Sequence, residues 1–401
     1  MPEQKTEWLF TEDAQAFLKA NEDKDPASFL LSKALANKGW DPKVIARQLK
    51  GLKIAKSKFP SWHRTSGIVY PVAVSLEQAS SEITAKYKAS LLEGDHVVDL
   101  SGGMGVDSYF ISRGCKQLVY VEPSQELSAL TQQNFSALQA HNIQSVYATA
   151  EEFLVQNKQS FSWVYVDPSR RKEGQRLAEV SAWEPDVIGL KSSIWKITSH
   201  VLIKMSPMVD ITHVCKEIGE VKEVHVVSDR NECKEVLLLL EKGWHAAYTI
   251  HAIVLKHEKT EKYSFTVAEE QAASPDYSGA LKYLYEPDVA LLKAGAFKKV
   301  ALDFNVQKIH PHTHLYTSIQ LLSHFLGRCF QVETLMECTK KNITALVGKE
   351  RDFHVVTRNA ALTADQVKSQ WKLIERGNVY LILFKGLDGM QYIAKTIRVE
   401  F

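Results

Sequence analysis

The chain has 401 residues, enough for two or three domains of ordinary size, with 45% apolar and 24% charged residues, as in soluble globular proteins. A formal net charge of +2 rules out a strongly basic polyanion-binding protein, so any polyanion site has to be local. Five scattered cysteines show no zinc-ligand spacing, MPEQKTEWLF has no apolar signal core, and the longest apolar run, Val236 to Leu240, cannot span a bilayer. We therefore expect a cytoplasmic protein with reduced thiols, no membrane segment and no metal; the oligomeric state is left open.

Residues 1–70 read as helical, with apolar residues at three- and four-residue steps (Trp8, Ala14, Phe17, Leu18; Phe29, Leu30, Ala34, Leu35). Asp25-Pro26 and Asp41-Pro42 read as helix starts, with Asp as cap and Pro in the first turn. Lys43 to Arg64 carries seven basic residues and no acid, which suits either a solvated helix face or a phosphate-contacting patch.

Near residue 96 the pattern changes to short apolar strands alternating with helices. The predicted strands are His96–Leu100, Leu118–Val121, Ser145–Ala148, Trp163–Val166, His200–Met205 and Glu223–Val227. This order predicts an α/β fold, a doubly wound, mainly parallel sheet whose strand C-termini share one ligand-binding edge. Val236–Leu240 and Tyr248–Leu255, with a turn at Lys242-Gly243, read as an antiparallel closing pair. From about residue 266 a separate, smaller α+β region follows.

The most informative stretch is Val97-Val98-Asp99-Leu100-Ser101-Gly102-Gly103-Met104-Gly105-Val106-Asp107: strand, glycine turn, helix. Gly103 and Gly105 permit positive φ and close ligand approach. A dinucleotide fingerprint needs a further glycine three residues after Gly105, where this chain has Ser108. Asp99 and Asp107 would repel a pyrophosphate but suit a cofactor with an ammonium and a sulfonium. Glu122-Pro123 ends the second strand, where an acid can bridge ribose hydroxyls, or serve as a helix N-terminal acid beside Ser124. Thr149, Ala150 and Glu151 follow the third strand, at an adenine position or simply at a helix start. Asp167-Pro168 ends the fourth strand and can direct a carboxylate and carbonyls at an acceptor amine. Arg170, Arg171 and Lys172 come next, able to bind phosphate or to salt-bridge within the loop. Ser75–Ala85 could fold over the cofactor's amino-acid end or form an ordinary capped helix.

Together LEQASSEITAKYKA, VVDLSGGMGVDS, VYVEPSQEL, VYVDPSRR, LIKMSPMVDI, NECKE, YEPDVALLKAGAF and HPHTHLYTS resemble class I S-adenosylmethionine-dependent methyltransferases with a THUMP-like C-terminal domain. The cofactor half is similar to the RNA cap guanine-N2 (trimethylguanosine synthase) family. The resemblance implies four parts: a helical domain at 1–75, a methyltransferase domain at 76–265, a ferredoxin-like segment at 266–314 and a THUMP-like domain at 315–401. It implies S-adenosyl-L-methionine held by Asp99, Ser101, Gly102, Gly103, Gly105, Asp107, Glu122, Pro123, Thr149, Ala150 and Glu151. Asp167 and Pro168 would position the acceptor, and the implied substrate is RNA, contacted by Arg170, Arg171 and Lys172. Three positions depart from the usual pattern: Ser101 for the first loop glycine, Thr149 for the adenine-side acid, and Ser169-Arg170 for a proline and a stacking aromatic.

Three other readings are weighed: carbon-5 pyrimidine methylation, with Cys233 as its candidate nucleophile, a cofactor- and RNA-binding module without turnover, and a small-molecule methyltransferase, which would not need the basic helical N-terminus or the extra C-terminal domains. His310, His312 and His314 are read as a packing loop rather than a metal site.

Overall fold

A computed structural model describes residues 7–30, 35, 38–71, 73–170, 183–256 and 259–400. They form two compact units, Met1–Lys222 with Leu237–Ala246, and Glu223–Val236 with Ala247–Phe401.

The first unit opens with helices started as the sequence predicts. Asp25 and Asp41 accept from the backbone N–H groups of Ala27 and Lys43, and prolines occupy the first positions of Pro26–Phe29 and Pro42–Lys58. Leu9, Leu18, Trp40, Ile45 and Leu49 gather in one core, with Trp8 stacked on Trp40. Part of the basic stretch is used internally: Lys58 Nζ donates to the carbonyls of Leu76 and Glu77 at 2.9 and 2.7 Å, and Lys56 pairs with Asp23.

Five parallel strands follow: β1 (His96–Asp99), β2 (Gln117–Glu122), β3 (Ile143–Tyr147), β4 (Trp163–Val166) and β5 (His200–Met205). Their spatial order is β3-β2-β1-β4-β5, each parallel to its neighbour. Val97, Val98, Val164, Leu202 and Ile203 are fully buried, which explains the near-continuous apolar runs of a sheet covered on both faces. The chain builds outward from β1 through β2 to β3, then returns to the other side of β1 for β4 and β5. That reversal makes the β1/β4 junction a topological switch point, where ligands bind beyond the strand C-termini.

The second unit corrects one expectation. Val236–Leu240 and Tyr248–Leu255 are not an antiparallel pair: strand Thr249–Lys256 runs parallel to Val221–Asp229 and antiparallel to Lys259–Thr266. The reason is the turn at Arg230-Asn231, where both residues have positive φ (52° and 59°). Two successive left-handed residues form the turn whose twist matches a tight hairpin, so Val221–Asp229 leads straight into Glu232–Glu241.

The rest of this unit is a seven-stranded sheet in the order Gln307–His310, Thr313–Ser318, Tyr283–Pro287, Gly327–Glu337, Gln391–Val399, Val379–Lys385, His354–Arg358. All neighbours are antiparallel except the last pair. Leu284, Ile309, Leu315, Phe330, Ile382 and Phe384 fill one of its cores. Strands from both sides of residue 314/315 therefore share one sheet. Among the described residues, no helix is long and apolar enough to cross a membrane.

Candidate active site

β1 delivers Asp99 to the switch point, and the chain then turns through Gly102, Gly103 and Gly105 at φ +22°, +64° and +80°. Gly102 and Gly105 are also sterically required. A Cβ would lie 2.7 Å from the Val121 carbonyl at Gly102, and 2.6 Å from the Phe135 ring and Thr131 methyl at Gly105. Gly103 differs: within 4 Å its Cβ position meets only the Ser101 carbonyl, at 3.7 Å. Its backbone face is therefore open to a ligand.

Asp99 is 1% exposed and acts from beneath the turn. Its Oδ1 accepts from the Ser101 backbone N–H and hydroxyl, both at 2.9 Å, and its Oδ2 accepts from Ser108 Oγ at 2.5 Å. Ser108 holds the position where a dinucleotide fingerprint has its third glycine, and here that side chain fastens the loop. Burial pushes the Asp99 carboxyl up to about 7, with the hydrogen bonds opposing the rise.

Ser101 explains its own departure from glycine. While donating to Asp99, its hydroxyl accepts from the Asp167 backbone N–H at 2.7 Å. One side chain thus ties the β1 loop to the β4 loop. The Asp167 carboxylate accepts from Lys204 Nζ, which comes from the end of β5.

Glu122 ends β2 at 6% exposure. Its Oε2 accepts from Gly103 N–H and its Oε1 from Ser124 N–H, each at 2.8 Å. The bond to Ser124 matches the helix-start reading, and the bond to Gly103 adds a role the sequence did not suggest, fixing the glycine turn. Burial raises its pKa against those two hydrogen bonds.

Asp107, in the first turn of helix Val106–Ser112, accepts from Ser80 Oγ at 2.7 Å and Tyr165 OH at 2.8 Å, and lies 3.3 Å from Lys88 Nζ. Burial opposes its ionisation, but Lys88, Lys204 and the two hydroxyls outweigh burial and hold its pKa below the usual range. Of the two readings of the segment before β1, the capped helix is present, and the segment also contacts the turn after β1. Ser81 caps helix Glu82–Ala89, and Ser80 reaches the cofactor loop.

Past the tip of β3, Thr149 is the cap of helix Ala150–Gln156 in a reciprocal capping box with Glu152, so its hydroxyl serves the helix. Ala150 is buried and Glu151 is exposed. A cavity of about 590 Å³ is lined by Pro123, Val146, Ala148, Thr149 and Phe153 among others; its lining includes Thr149 but not Ala150, Glu151, the β1 loop or Asp167. Pro168 is half-buried, and Ser169-Arg170 pairs antiparallel with Trp183-Glu184. Arg171 and Lys172 lie outside the described residues.

Two residues of this constellation escape a reading of the sequence, Lys88 and Lys204, while Ser80 falls within the Ser75–Ala85 stretch already singled out. Lys88 left a trace, because it follows Ser81, Thr84 and Ala85 at helical spacing and so shares the inward face.

The chain matches the model of a family described as conserved hypothetical protein 95 over residues 43–222, a ferredoxin-like domain over 283–325 and a THUMP domain-like family over 327–394. No curated protein matches it. A candidate methyltransferase from Porphyromonas gingivalis W83 is similar over 100% of both chains, at 30% identity and a TM-score of 0.88. An rRNA methylase from Streptococcus thermophilus is similar over 40% of this chain and 94% of its own, at 16% identity and TM-score 0.30. A TrmK of M. capricolum in complex with S-adenosylhomocysteine is similar over 40% and 69%, at 12% identity and TM-score 0.32. These two short likenesses add nothing to the assignment, which rests on the full-length relative. With its switch-point glycine turn and THUMP-like segment, the chain belongs to the family of S-adenosylmethionine-dependent methyltransferases that carry a THUMP-like C-terminal domain.

Proposed function

We propose that the protein methylates a nitrogen, exocyclic or in the ring, of a nucleobase in RNA, by direct in-line transfer from S-adenosylmethionine. The observation that carries this reading is the linkage of three strand-tip acids around one glycine turn. Glu122 bonds the Gly103 N–H, Asp99 bonds Ser101, and Ser101 bonds the Asp167 N–H.

The residues present fit this cofactor. Gly103 leaves the backbone open, and Glu122 is fixed by two N–H donors with lone pairs left for ribose hydroxyls. Pro123 and the first-turn N–H groups at Ala150 and Glu151 border the adenine side. When bound, the cofactor supplies an already activated methyl group, so positioning in line accounts for much of the rate. Asp167 and the backbone carbonyls beside Pro168 hold an acceptor amine, and the Lys204 and Ser101 contacts fix where Asp167 sits. Arg170, Arg171 and Lys172 follow directly and are assigned to the RNA backbone or to base stacking.

The THUMP-like match supports RNA over a small molecule, since a small substrate does not need such a segment. Carbon-5 chemistry is disfavoured by Cys233: burial pushes its thiol up to about 11, away from the thiolate a nucleophile needs. All five cysteines are free thiols, which supports a reducing compartment, the cytoplasm.

The test is transfer of labelled methyl to total RNA from a strain lacking the protein, followed by nucleoside analysis. A single labelled N-methyl nucleoside is expected. Cofactor and RNA binding without any label transfer would instead indicate a binding module.

A further inference from the structure

In the second unit, strands Val221–Asp229 and Thr249–Lys256 run parallel with His225 directly opposite His251. Residues two apart on a strand share a face, so Glu223 joins both histidines. Glu223 Oε2 lies 3.0 Å from His225 Nε2 and 3.2 Å from His251 Nε2. The three ligand atoms all fall within 4.8 Å of one another. Ser264, opposite His251 on strand Lys259–Thr266, places its Oγ 2.8 Å from His251 Nδ1.

We propose that Glu223, His225 and His251 form a binding site for Zn²⁺ or a similar borderline divalent transition-metal ion, with the fourth position left to an oxygen ligand. A tetrahedral ion with bonds of about 2.0–2.1 Å sets its ligand atoms about 3.3 Å apart. Two of the three edges here are already close to that length. Two imidazoles and one carboxylate suit zinc, whereas Mg²⁺ and Ca²⁺ call for oxygen-rich sets. Ser264 does what an outer partner of a ligating histidine does: it fixes the ring and leaves Nε2 facing the ion. The His225 and His251 side chains are 1% and 8% exposed and that of Glu223 is 29% exposed, so the nitrogen ligands are dry and the carboxylate side opens to solvent.

Each Nε2 lies within hydrogen-bond reach of the Glu223 carboxylate, so a proton held there is released when an ion takes its place. Lys262 shares a face of strand Lys259–Thr266 with Ser264, and its positive charge opposes a bound cation. His310, His312 and His314 form no such group among the described residues. His314 stacks on Phe297 at 4.0 Å, and His310 Nδ1 accepts from the His312 N–H.

The test uses the full chain, stripped with chelator, titrated with Zn²⁺ and separately with Mg²⁺ by calorimetry, with melting followed in parallel. One Zn²⁺ per chain, a raised Tm with zinc and no response to Mg²⁺ are expected. Glu223→Gln and His251→Gln should each weaken zinc binding at least tenfold, and Ser264→Ala about 10–100-fold. Lys262→Met keeps every ligand and should bind zinc more tightly, which keeps the test decisive even if a ligand variant fails to fold. No stoichiometric zinc in the wild type, or unchanged affinity in folded Glu223→Gln and Lys262→Met, would overturn the site.

Discussion

Ser101 Oγ accepts a hydrogen bond from the Asp167 backbone N–H at 2.7 Å, so the loop after β1 and the loop after β4 are held by one hydroxyl. Because that hydroxyl also donates to Asp99, the loops proposed to hold the cofactor and the acceptor share a single anchor. Ser101→Ala leaves the Asp167 N–H without this partner, at a cost of about 1–3 kcal/mol in stability. We expect a lower urea midpoint and a reduced kcat, with a smaller change in cofactor affinity. Equal kcat in variant and wild type would separate the two loops functionally.

Lys204 reaches the Asp167 carboxylate from β5 and does not belong to the glycine turn. Under the proposed function it is a positioning residue, acting through Asp167. Lys204→Ala should lower kcat roughly tenfold or more while cofactor affinity measured by calorimetry stays close to wild type. Lys204→Arg should recover part of the loss, because it restores a cation at the same carboxylate.

Asp99 gives the protein a pH signature. Burial raises its folded pKa to about 7, against about 3.9 in an unfolded chain. The folded state then binds the proton more tightly, so this group's contribution is fully present below about pH 4 and is lost as pH rises towards about 7. Glu122, also raised, acts with the same sign. The lowered pKa of Asp107 moves the other way, and that change lies below about pH 4. Asp99→Asn should therefore gain stability relative to wild type between pH 5 and 8, measured as the difference between two urea-denaturation series. A difference that does not vary with pH would contradict the assignment.

Lys88 is 0% exposed and faces Asp107, a buried pair whose partners depend on each other. Lys88→Met removes one charge and leaves the other buried, costing about 3–5 kcal/mol. Lys88→Met combined with Asp107→Leu should regain much of that stability, because two apolar groups can replace a buried pair with little loss. Chemical denaturation of the three proteins reads this directly.

The parts of the fold that were legible in the sequence are those where local chemistry decides. The β1 turn announces itself because positive φ at three sites calls for glycine, and Asp25 and Asp41 mark helix starts because a side-chain acceptor followed by Pro suits them. The hairpin at Arg230-Asn231 stayed hidden: its left-handed positions carry Arg and Asn instead of the usual Asn-Gly signal, so the strand pairing after residue 221 was misread. Lys88 and Lys204 stayed hidden for another reason. A lysine reads as surface until the tertiary fold places a carboxylate beside it. Thr149 shows the converse, a position expected at the adenine side whose hydroxyl is taken up by a capping box.

Glu122 is central to the proposed cofactor site: its two carboxylate oxygens already hold Gly103 and Ser124 at 2.8 Å and have lone pairs left for a ribose. Calorimetric titration of S-adenosylmethionine into wild type and Glu122→Ala, with circular dichroism to verify the fold, measures this dependence. We predict affinity lower by about 10–100-fold in the folded variant, the range for losing hydrogen bonds to a charged group. Unchanged affinity in a folded Glu122→Ala protein would contradict the cofactor site described above.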